Sequence, residues 1–408
     1  MRKLKPLQRQ LRYLDWEFGG FIHFGIRTFF KDSFDGDLRP MPSSAFTLES
    51  ADCEQWVREF KDAGAKYMVF TAKHHDGFCT WQTDTTDYSI KSTPYKNGRG
   101  DLVAEFCEAC RKYDMGVGIY YSPAQWNHAV ISFSDDEDAY NDYFARQLTE
   151  LLARYGKIDY LWFDGCGSGG HRFDHDRIVG IIRDNQPDML VFNMFDPDTR
   201  WVGNEIGVTP LPNRNESDRF DDAHPPMGRN EARVKFAPVM CDFPLRETSW
   251  FDCLDNADTI RSLDELIGIY HMTVGRGGNM LMNIGPDRTG RLPAPDVARL
   301  REFGEAIRHI YEGKLDFSAP ETDGNRIVIR REERALVNQV IVQENLTEGE
   351  SILGYRLYAN DVLLTVGTTV GHKAILTFPP VKTDTLTLEV TASNGSFAVD
   401  SFAAYFTK

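Results

Sequence analysis

The stretch Tyr160-Leu161-Trp162-Phe163-Asp164-Gly165 is a short apolar run that ends in a carboxylate. Its hydrophobicity is continuous rather than alternating, which is typical of a strand buried on both faces, as in a parallel sheet. In a barrel of such strands, the residue just past the carboxyl end of a strand lies at the active-site face. The stretch therefore predicts a parallel sheet and makes Asp164 a candidate catalytic residue.

Runs of the same kind recur up to about residue 320 and alternate with helical patterns. The other candidate strands cover residues 20–24, 66–72, 116–121, 189–193 and 280–284. The candidate helices cover residues 53–63, 102–113, 138–155, 174–185, 262–275 and 296–311. Repetition of strand and helix over this length predicts an α/β fold, an irregular (β/α)8-like TIM barrel, which we assign to residues 1–315. Residues 200–253 interrupt this alternation of strands and helices, and we interpret them as long loops over the active face with one or two irregular strands.

The pattern changes after about residue 320. Short alternating runs follow one another with turn residues between them, as at Asn360-Asp361 and Asn394-Gly395, and no helical pattern intervenes. Such a series is typical of antiparallel strands. We therefore predict a small C-terminal antiparallel β-sandwich in residues 316–408.

Composition excludes several classes of partner. The chain of 408 residues has 46 basic and 61 acidic residues, for a net charge of −15, which disfavours nucleic acid and anionic membranes. No apolar stretch approaches the length of a membrane span, and no apolar segment of a signal peptide follows the basic N-terminus. The seven cysteines are scattered rather than arranged as a disulfide framework. We therefore expect a cytoplasmic protein, and the sequence does not indicate its oligomeric state.

Polar side chains cluster where the candidate strands end. They are His23, His74, His75, Tyr120 and Asp164, with Glu205 about ten residues beyond the fifth strand. Because the carboxyl ends of barrel strands share one face, these side chains are expected to converge on one cleft. Two carboxylates with separate roles are what glycoside hydrolysis requires, one to attack the sugar and one to transfer the proton. The alternative is a purely structural role, in which each carboxylate is a helix N-cap or a salt-bridge partner.

A metal site is a second interpretation of the same cluster. His23, His74, His75 and Asp164 could in principle bind a metal, but barrel metallohydrolases usually bring two histidines together from positions i and i+2. The adjacent His74 and His75 would point to opposite faces of an extended strand. A neutral pocket of histidines and aromatic rings suits a sugar better, and we expect neither a metal nor another cofactor.

With these motifs the chain resembles the α-L-fucosidases of glycoside hydrolase family 29. The matching motifs, which span residues 19–290 in the family's order, are Gly20-Phe21-Ile22-His23-Phe24-Gly25, Ala72-Lys73-His74-His75-Asp76-Gly77-Phe78-Cys79-Thr80-Trp81, Thr86-Asp87-Tyr88-Ser89, Tyr120-Tyr121-Ser122-Pro123, Leu161-Trp162-Phe163-Asp164-Gly165, Trp201-Val202-Gly203-Asn204-Glu205 and Gly278-Asn279-Met280-Leu281-Met282-Asn283-Ile284-Gly285-Pro286. The Lys-His-His-Asp-Gly-Phe and Trp-Phe-Asp-Gly pieces are specific when they occur together.

The resemblance implies a retaining hydrolase that removes terminal α-L-fucose from fucosylated oligosaccharides or glycoconjugates without a metal. Asp164 maps to the nucleophile and Glu205 to the acid/base, with their carboxyl groups about 5–5.5 Å apart. Burial and the charge of Asp164 are expected to raise the pKa of Glu205. The predicted fucose-binding residues are His23, His74, His75, Trp81, Tyr120 and Trp162. The motif that ends in Cys79 is similar to that of enzymes favouring α1,3/1,4-linked fucose.

One departure from the family pattern leaves other functions open. Where related chains tend to have a Glu in a Pro-Ala-Glu-Cys-Asp segment, this chain has Met240, in Pro238-Val239-Met240-Cys241-Asp242. Loss of that Glu could alter leaving-group preference, or activity itself if it were the proton donor. The alternatives are therefore a non-catalytic fucose-binding protein and a barrel glycosidase for another sugar, such as a galactoside or arabinoside.

Overall fold

The computed structural model describes residues 3–34, 37, 39–126, 136–217 and 234–407. Part of the predicted loop region, residues 218–233, lies outside the described residues. The N-terminal strands are β1 (Phe18–Ile22), β2 (Tyr67–Lys73), β3 (Gly116–Tyr121), β4 (Tyr160–Phe163), β5 (Leu190–Phe192), β6 (Arg200–Trp201), β7 (Glu216–Ser217), β8 (Lys235–Phe236), β9 (Val239–Pro244) and β10 (Asn279–Asn283).

Eight of these strands form a parallel barrel sheet in the order β5-β4-β3-β2-β1-β10-β9-β6. A parallel bridge between Phe192 and Thr199 links β5 to the segment that enters β6, so the sheet is nearly closed. Strands β1, β2 and β9 are buried along their whole length, as expected for strands covered on both faces. The predicted irregular (β/α) barrel is confirmed.

Helices surround the barrel, and all but the first lie along its outside. They are α1 (Gln8–Trp16), α2 (Cys53–Asp62), α3 (Leu102–Lys112), α4 (Glu137–Arg154), α5 (His175–Asn185), α6 (Leu263–Thr273) and α7 (Ala294–Glu312). Side chains of Asp52, Asp101, Asp136, Asp174 and Ser262 cap the N-termini of α2 to α6. Each cap accepts an N–H that the first helical turn leaves unpaired, which fixes where the helix begins. None of the described helices is long and apolar enough to cross a membrane.

The helix α1 was not among the predicted helices, and it packs against the barrel interior. Tyr13 on α1 lies beside Tyr67 of β2 and Tyr160 of β4, with ring centroids 5.9 and 5.4 Å away. Asn279 Nδ2 on β10 donates to the Tyr13 carbonyl at 2.8 Å. These contacts fill the barrel on the side opposite the strand ends where the polar residues cluster.

The C-terminal strands are β11 (Glu321–Asp323), β12 (Arg326–Glu344), β13 (Ile352–Ala359), β14 (Val362–Gly367), β15 (Ala374–Ser393) and β16 (Val399–Tyr405). All their pairings are antiparallel, in the order β11-β12-β15-β13-β14, and β16 pairs with β12. The predicted sandwich is confirmed. Residues 326–331 and 335–344, which hydrophobic alternation predicts as two strands, form the single long strand β12, and residues 373–378 and 385–391 are likewise joined in β15. The register between β12 and β15 shifts at bulges. The predicted division at residues 315 and 316 lies between α7 and β11.

The two domains meet at a buried carboxylate. Glu350 Oε2 accepts a hydrogen bond from the Asn215 backbone N–H at 3.0 Å, and Thr369 Oγ1 donates to the Asn213 carbonyl at 2.7 Å. Glu350 is 0% exposed. Burial, reinforced by the charge of Glu344, raises the pKa of Glu350 to about 8, although the Asn215 N–H and Arg214 oppose the shift.

Replacing Glu350 with Gln is expected to stabilise the protein at pH 8.5 but not at pH 5. Glu350 keeps its proton in the folded state at pH values where the unfolded chain has released it. Wild-type stability therefore falls as pH rises from the unfolded pKa through about 8. At about 1.4 kcal/mol per pKa unit, a shift from 4.5 to about 8 sets an upper bound of about 5 kcal/mol on the penalty that Gln removes. Thermal melts at both pH values measure the effect.

The exposed Glu348, on the same turn, provides the matched control for Glu350. Its carboxylate forms a surface ion pair with Lys5 at 2.5 Å. Glu348→Gln is expected to leave the pH dependence of the melting temperature unchanged. Equal pH dependence in the wild type and Glu350→Gln would contradict the assigned protonation of Glu350.

Candidate active site

A cleft of about 640 Å³, including its open mouth, lies at the carboxyl ends of the barrel strands. Its lining residues are Phe21, His23, His74, His75, Tyr120, Trp162, Phe163, Asp164, Gly165, Cys166, Phe192, Asn193, Trp201, Glu205, Asp242 and Trp250. The structure thus brings every predicted site residue except Trp81 into one cleft.

Asp164 follows β4 and accepts three hydrogen bonds from neighbouring groups. Tyr120 OH donates to Oδ2 at 2.7 Å, His75 Nε2 lies 3.3 Å from the same oxygen, and the Cys166 N–H donates to Oδ1 at 2.9 Å. Burial alone would raise the pKa of Asp164. The positive charge and hydrogen bond of His75, with the bonds from Tyr120 and Cys166, outweigh it and lower the pKa to about 2. Asp164 is therefore an ionised carboxylate at neutral pH.

Contacts on both sides of its ring hold His75 against Asp164. Its Nδ1 lies 2.6 Å from Ser122 Oγ, and Ser122 donates in turn to the Ala124 carbonyl at 3.1 Å. The ring also stacks on Trp126 with centroids 4.2 Å apart. This packing fixes Nε2 in the direction of the carboxylate.

His74 and His75 both line the cleft, contrary to the expectation that they point to opposite faces. Strand β2 ends at Lys73, so both histidines lie in the following turn, where strand alternation no longer applies. Ligand atoms of His74, His75 and Asp164 lie within 4.8 Å of one another and could hold a metal ion. Both oxygens of Asp164, however, already accept hydrogen bonds from protein donors.

Two further histidines of the predicted set are buried and uncharged. His23 Nδ1 lies 2.8 Å from Asn283 Oδ1, and burial lowers the pKa of His23 to about 3 despite that bond and the charge of Asp164. Burial, with the positive charges of His75 and Arg27, lowers the pKa of His74 as well. Neutral imidazoles can both donate and accept, which matches sugar hydroxyl groups.

Aromatic rings form the floor and one wall of the cleft. Trp162 stacks between Tyr120, at 5.2 Å, and Phe192, at 4.4 Å. Trp250 stands beside His23 with ring centroids 5.0 Å apart. Flat apolar faces next to hydrogen-bonding groups suit a ligand that has C–H surfaces as well as hydroxyls.

Glu205 lines the cleft from the turn that follows β6. The Asn204 side chain shapes this turn, since its Oδ1 accepts from the Ile206 N–H at 3.2 Å and its Nδ2 donates to the Val208 carbonyl at 3.0 Å. Glu205 is exposed, which contradicts the expectation that its side chain is buried. Its position leaves it open to solvent and to a ligand that enters the cleft.

Asp242 is a third carboxylate in the cleft, and the sequence analysis did not identify it as a site residue. It lies on β9, is 3% exposed, and accepts a hydrogen bond from Trp201 Nε1 at 2.8 Å. Burial and the charge of Glu205 raise the pKa of Asp242 to about 8, against the effect of the Trp201 bond. Asp242 interrupts an apolar run that continues with Phe243, and this run lies in the region that the sequence analysis interpreted as loops.

Trp81 and Met240 lie outside the cleft. Trp81 is 0% exposed in the apolar core, and its Nε1 donates to Glu150 Oε2 at 3.0 Å. The chain turns after His75, which carries Trp81 away from the strand ends. Met240 is also 0% exposed and packs inside the barrel. Neither position supports the predicted contact of Trp81 with the sugar or the suggested effect of Met240 on the leaving group.

Comparison with known proteins agrees with this geometry. The alpha-L-fucosidase family profile matches residues 40–309. Alpha-L-fucosidase 1 of Arabidopsis thaliana is 30% identical over 90% of this chain and 80% of its own. A glycoside hydrolase 29 family member from an unknown rumen bacterium has a TM-score of 0.88 at 29% identity, covering 100% of this chain and 78% of its own. A Ruminococcus gnavus GH29 fucosidase in complex with fucose has a TM-score of 0.82 at 25% identity, over 99% of this chain and 95% of its own. The chain therefore belongs to the α-L-fucosidase family, glycoside hydrolase family 29.

Proposed function

We propose that this glycoside hydrolase is a retaining exo-α-L-fucosidase in which Asp164 is the nucleophile and Glu205 the acid/base. The observation that carries the proposal is the state of Asp164, an ionised carboxylate held by Tyr120, His75 and the Cys166 N–H in the cleft that Glu205 also lines. A nucleophilic carboxylate must be ionised at the pH of turnover.

In the first step, an Asp164 oxygen attacks the anomeric carbon of fucose while the glycosidic bond breaks. The leaving oxygen takes a proton from Glu205, which is open to the aglycone because it is exposed at the cleft. In the second step, ionised Glu205 removes a proton from water, and the water oxygen displaces Asp164 from the anomeric carbon. Two inversions release fucose with its original α configuration.

The fucose itself would bind among His23, His74, His75, Tyr120 and Trp162. The neutral His23 and His74 offer donors and acceptors to hydroxyl groups, while Trp162 offers a ring face. The structural neighbour from Ruminococcus gnavus is a fucosidase in complex with fucose, which supports a fucose subsite in this cleft. For the linkage we propose a preference for α1,3/1,4-linked fucose in fucosylated glycans.

We also propose a cytoplasmic location. All seven cysteines are free, and every one except Cys166 is buried. Burial raises the pKa of Cys79 to about 12, so this thiol stays protonated in the core. A set of unpaired thiols is typical of proteins in a reducing compartment.

Release of L-fucose, followed by NMR, tests the proposed function. The wild type is expected to liberate α-L-fucose first from both an aryl α-L-fucoside and an α1,3/1,4-fucosylated trisaccharide, and more efficiently from the trisaccharide. EDTA should leave the rate unchanged, because Asp164 is engaged by protein donors. Initial release of β-L-fucose would contradict retention. Fucose binding without release would favour the non-catalytic alternative, and cleavage of an aryl galactoside or arabinoside alone would favour another sugar.

A further inference from the structure

The cleft holds three carboxylates, of which the proposed mechanism uses two. Asp242 is the most buried of the three and reaches the cleft from the wall formed by β9. We propose that Asp242 is a positioning residue that acts as a neutral carboxylic acid, anchors Trp201 and thereby holds the turn that carries Glu205. The inference rests on the proposed function of Glu205.

The connection from Asp242 to Glu205 is short and consists of observed contacts. Strand β6 pairs in parallel with β9, and the Val202 N–H donates to the Met240 carbonyl at 3.0 Å. Trp201 Nε1 donates to Asp242 Oδ1 at 2.8 Å. Glu205 follows four residues after Trp201, at the end of a turn shaped by Asn204. A change at Asp242 therefore reaches the base of that turn directly.

The groups that face Asp242 favour its neutral form. From the cleft these are Glu205 and Asp164, and from the barrel interior they are Tyr67 and Tyr160. Cys241 adjoins it on β9, and none of these five groups carries a positive charge. Asp164 has His75 to stabilise its charge, whereas Asp242 has the neutral indole of Trp201.

The neutral form also fits the hydrogen-bond geometry. A proton on Oδ2 is compatible with the bond that Oδ1 accepts from Trp201. The pKa of Asp242, raised to about 8 chiefly by burial and by Glu205, places this proton on the group at neutral pH. A neutral Asp242 also adds no third negative charge beside the anomeric centre, where Asp164 must remain ionised.

Leaving-group dependence separates a positioning role from a purely structural one. If Asp242 positions the proton donor, Asp242→Leu should lower kcat on a fucosylated trisaccharide by about 10²-fold. An activated aryl fucoside, which needs little protonation, should lose less than about 10-fold. Asp242→Asn, which matches the neutral acid in shape, should lose less than Asp242→Leu on the trisaccharide. Trp201→Phe should show the same leaving-group dependence as Asp242→Leu.

The exposed Asp255 supplies the matched control, since Asp255→Asn should behave as the wild type. Circular dichroism melts identify any variant that fails to fold. If Asp242→Leu does not fold, the rates of Asp242→Asn on the two substrates provide the test instead. Equal loss on the two substrates, or no effect of Trp201→Phe, would overturn the positioning role.

Two readouts do not depend on turnover. The infrared difference spectrum of the wild type minus Asp242→Asn at neutral pH should show the C=O band of a protonated carboxyl group, because the protonated Glu350 contributes equally to both proteins. The indole N–H resonance of Trp201, assigned through Trp201→Phe, should move in Asp242→Leu. If the wild type cleaves neither fucoside, the proposed function fails, while these two signals still decide whether Asp242 is neutral and bonded to Trp201. Absence of the infrared band difference would overturn the inference.

Discussion

Replacing Asp164 with Ala is expected to lower the rate of fucose release by roughly 10⁴-fold or more while the protein stays folded. The carboxylate is the only group proposed to form a bond with the anomeric carbon, so the reaction loses its covalent intermediate. The side chain is partly exposed to the cleft, so its removal leaves the apolar core intact. Initial rates on an aryl fucoside, together with a thermal melt, measure both parts of the expectation.

Azide provides the decisive control for the role of Asp164. In Asp164→Ala, azide can occupy the vacated space and attack the anomeric carbon opposite the leaving group, which gives β-L-fucosyl azide. Asp188→Ala changes an exposed aspartate on a loop outside the cleft and should keep the wild-type rate. Near-normal turnover by Asp164→Ala, or no inverted azide product from it, would show that another group is the nucleophile.

Replacing Glu205 with Gln should lower kcat on a fucosylated trisaccharide by about 10²–10⁴-fold, because the departing sugar oxygen loses its proton donor. An aryl fucoside with an activated leaving group should lose much less in the first step. Parallel assays of the two substrates measure this difference. The pH profile should also lose the limb that belongs to the acid/base, whereas the Asp164 carboxylate remains ionised down to a pH of about 2.

Glu205→Ala with azide tests the same residue by the configuration of the product. Asp164 still forms its β-linked intermediate, and azide then displaces it to give α-L-fucosyl azide, opposite in configuration to the Asp164→Ala product. Glu247→Gln, on an exposed loop position, is the matched control. If Glu205→Gln were as slow on the activated fucoside as on the trisaccharide, another group would be the proton donor.

Most of the barrel could be predicted because its strands are buried on both faces. Continuous apolar runs identified β1 to β5 and β10 within one or two residues, and their carboxyl ends then indicated the cleft. Strand β9 is buried throughout but was not identified, because the surrounding region is rich in Pro and Asp, a composition typical of loops. In the C-terminal domain, bulges interrupt the hydrophobic alternation within β12 and β15, so the alternation predicts two short strands where the structure has one long strand.

The site was predictable where a side chain directly follows a strand, as for His23, His74 and Asp164. Position in the sequence does not reveal which way a chain turns afterwards, so Trp81, only six residues past His75, lies in the core. The exposure of Glu205 could not be predicted either, because a turn held by the Asn204 side chain sets it. Asp242 was missed for a different reason, because it lies within β9, a strand that the sequence analysis did not identify.

The contact between Glu350 and Asn215 affects how the protein can be divided. The chain between β6 and β7 carries Glu205 near one end, and the C-terminal domain holds the Asn213 carbonyl and the Asn215 N–H near the other. The proposed proton donor Glu205 thus lies on a segment that both domains contact. A barrel cut away after residue 315 would keep the contacts of this segment with the barrel, such as the hydrogen bond from Arg276 to the Thr209 carbonyl at 2.8 Å, but would lose both contacts with the C-terminal domain. The C-terminal domain therefore helps to hold the segment that carries Glu205 and is more than a detachable appendage.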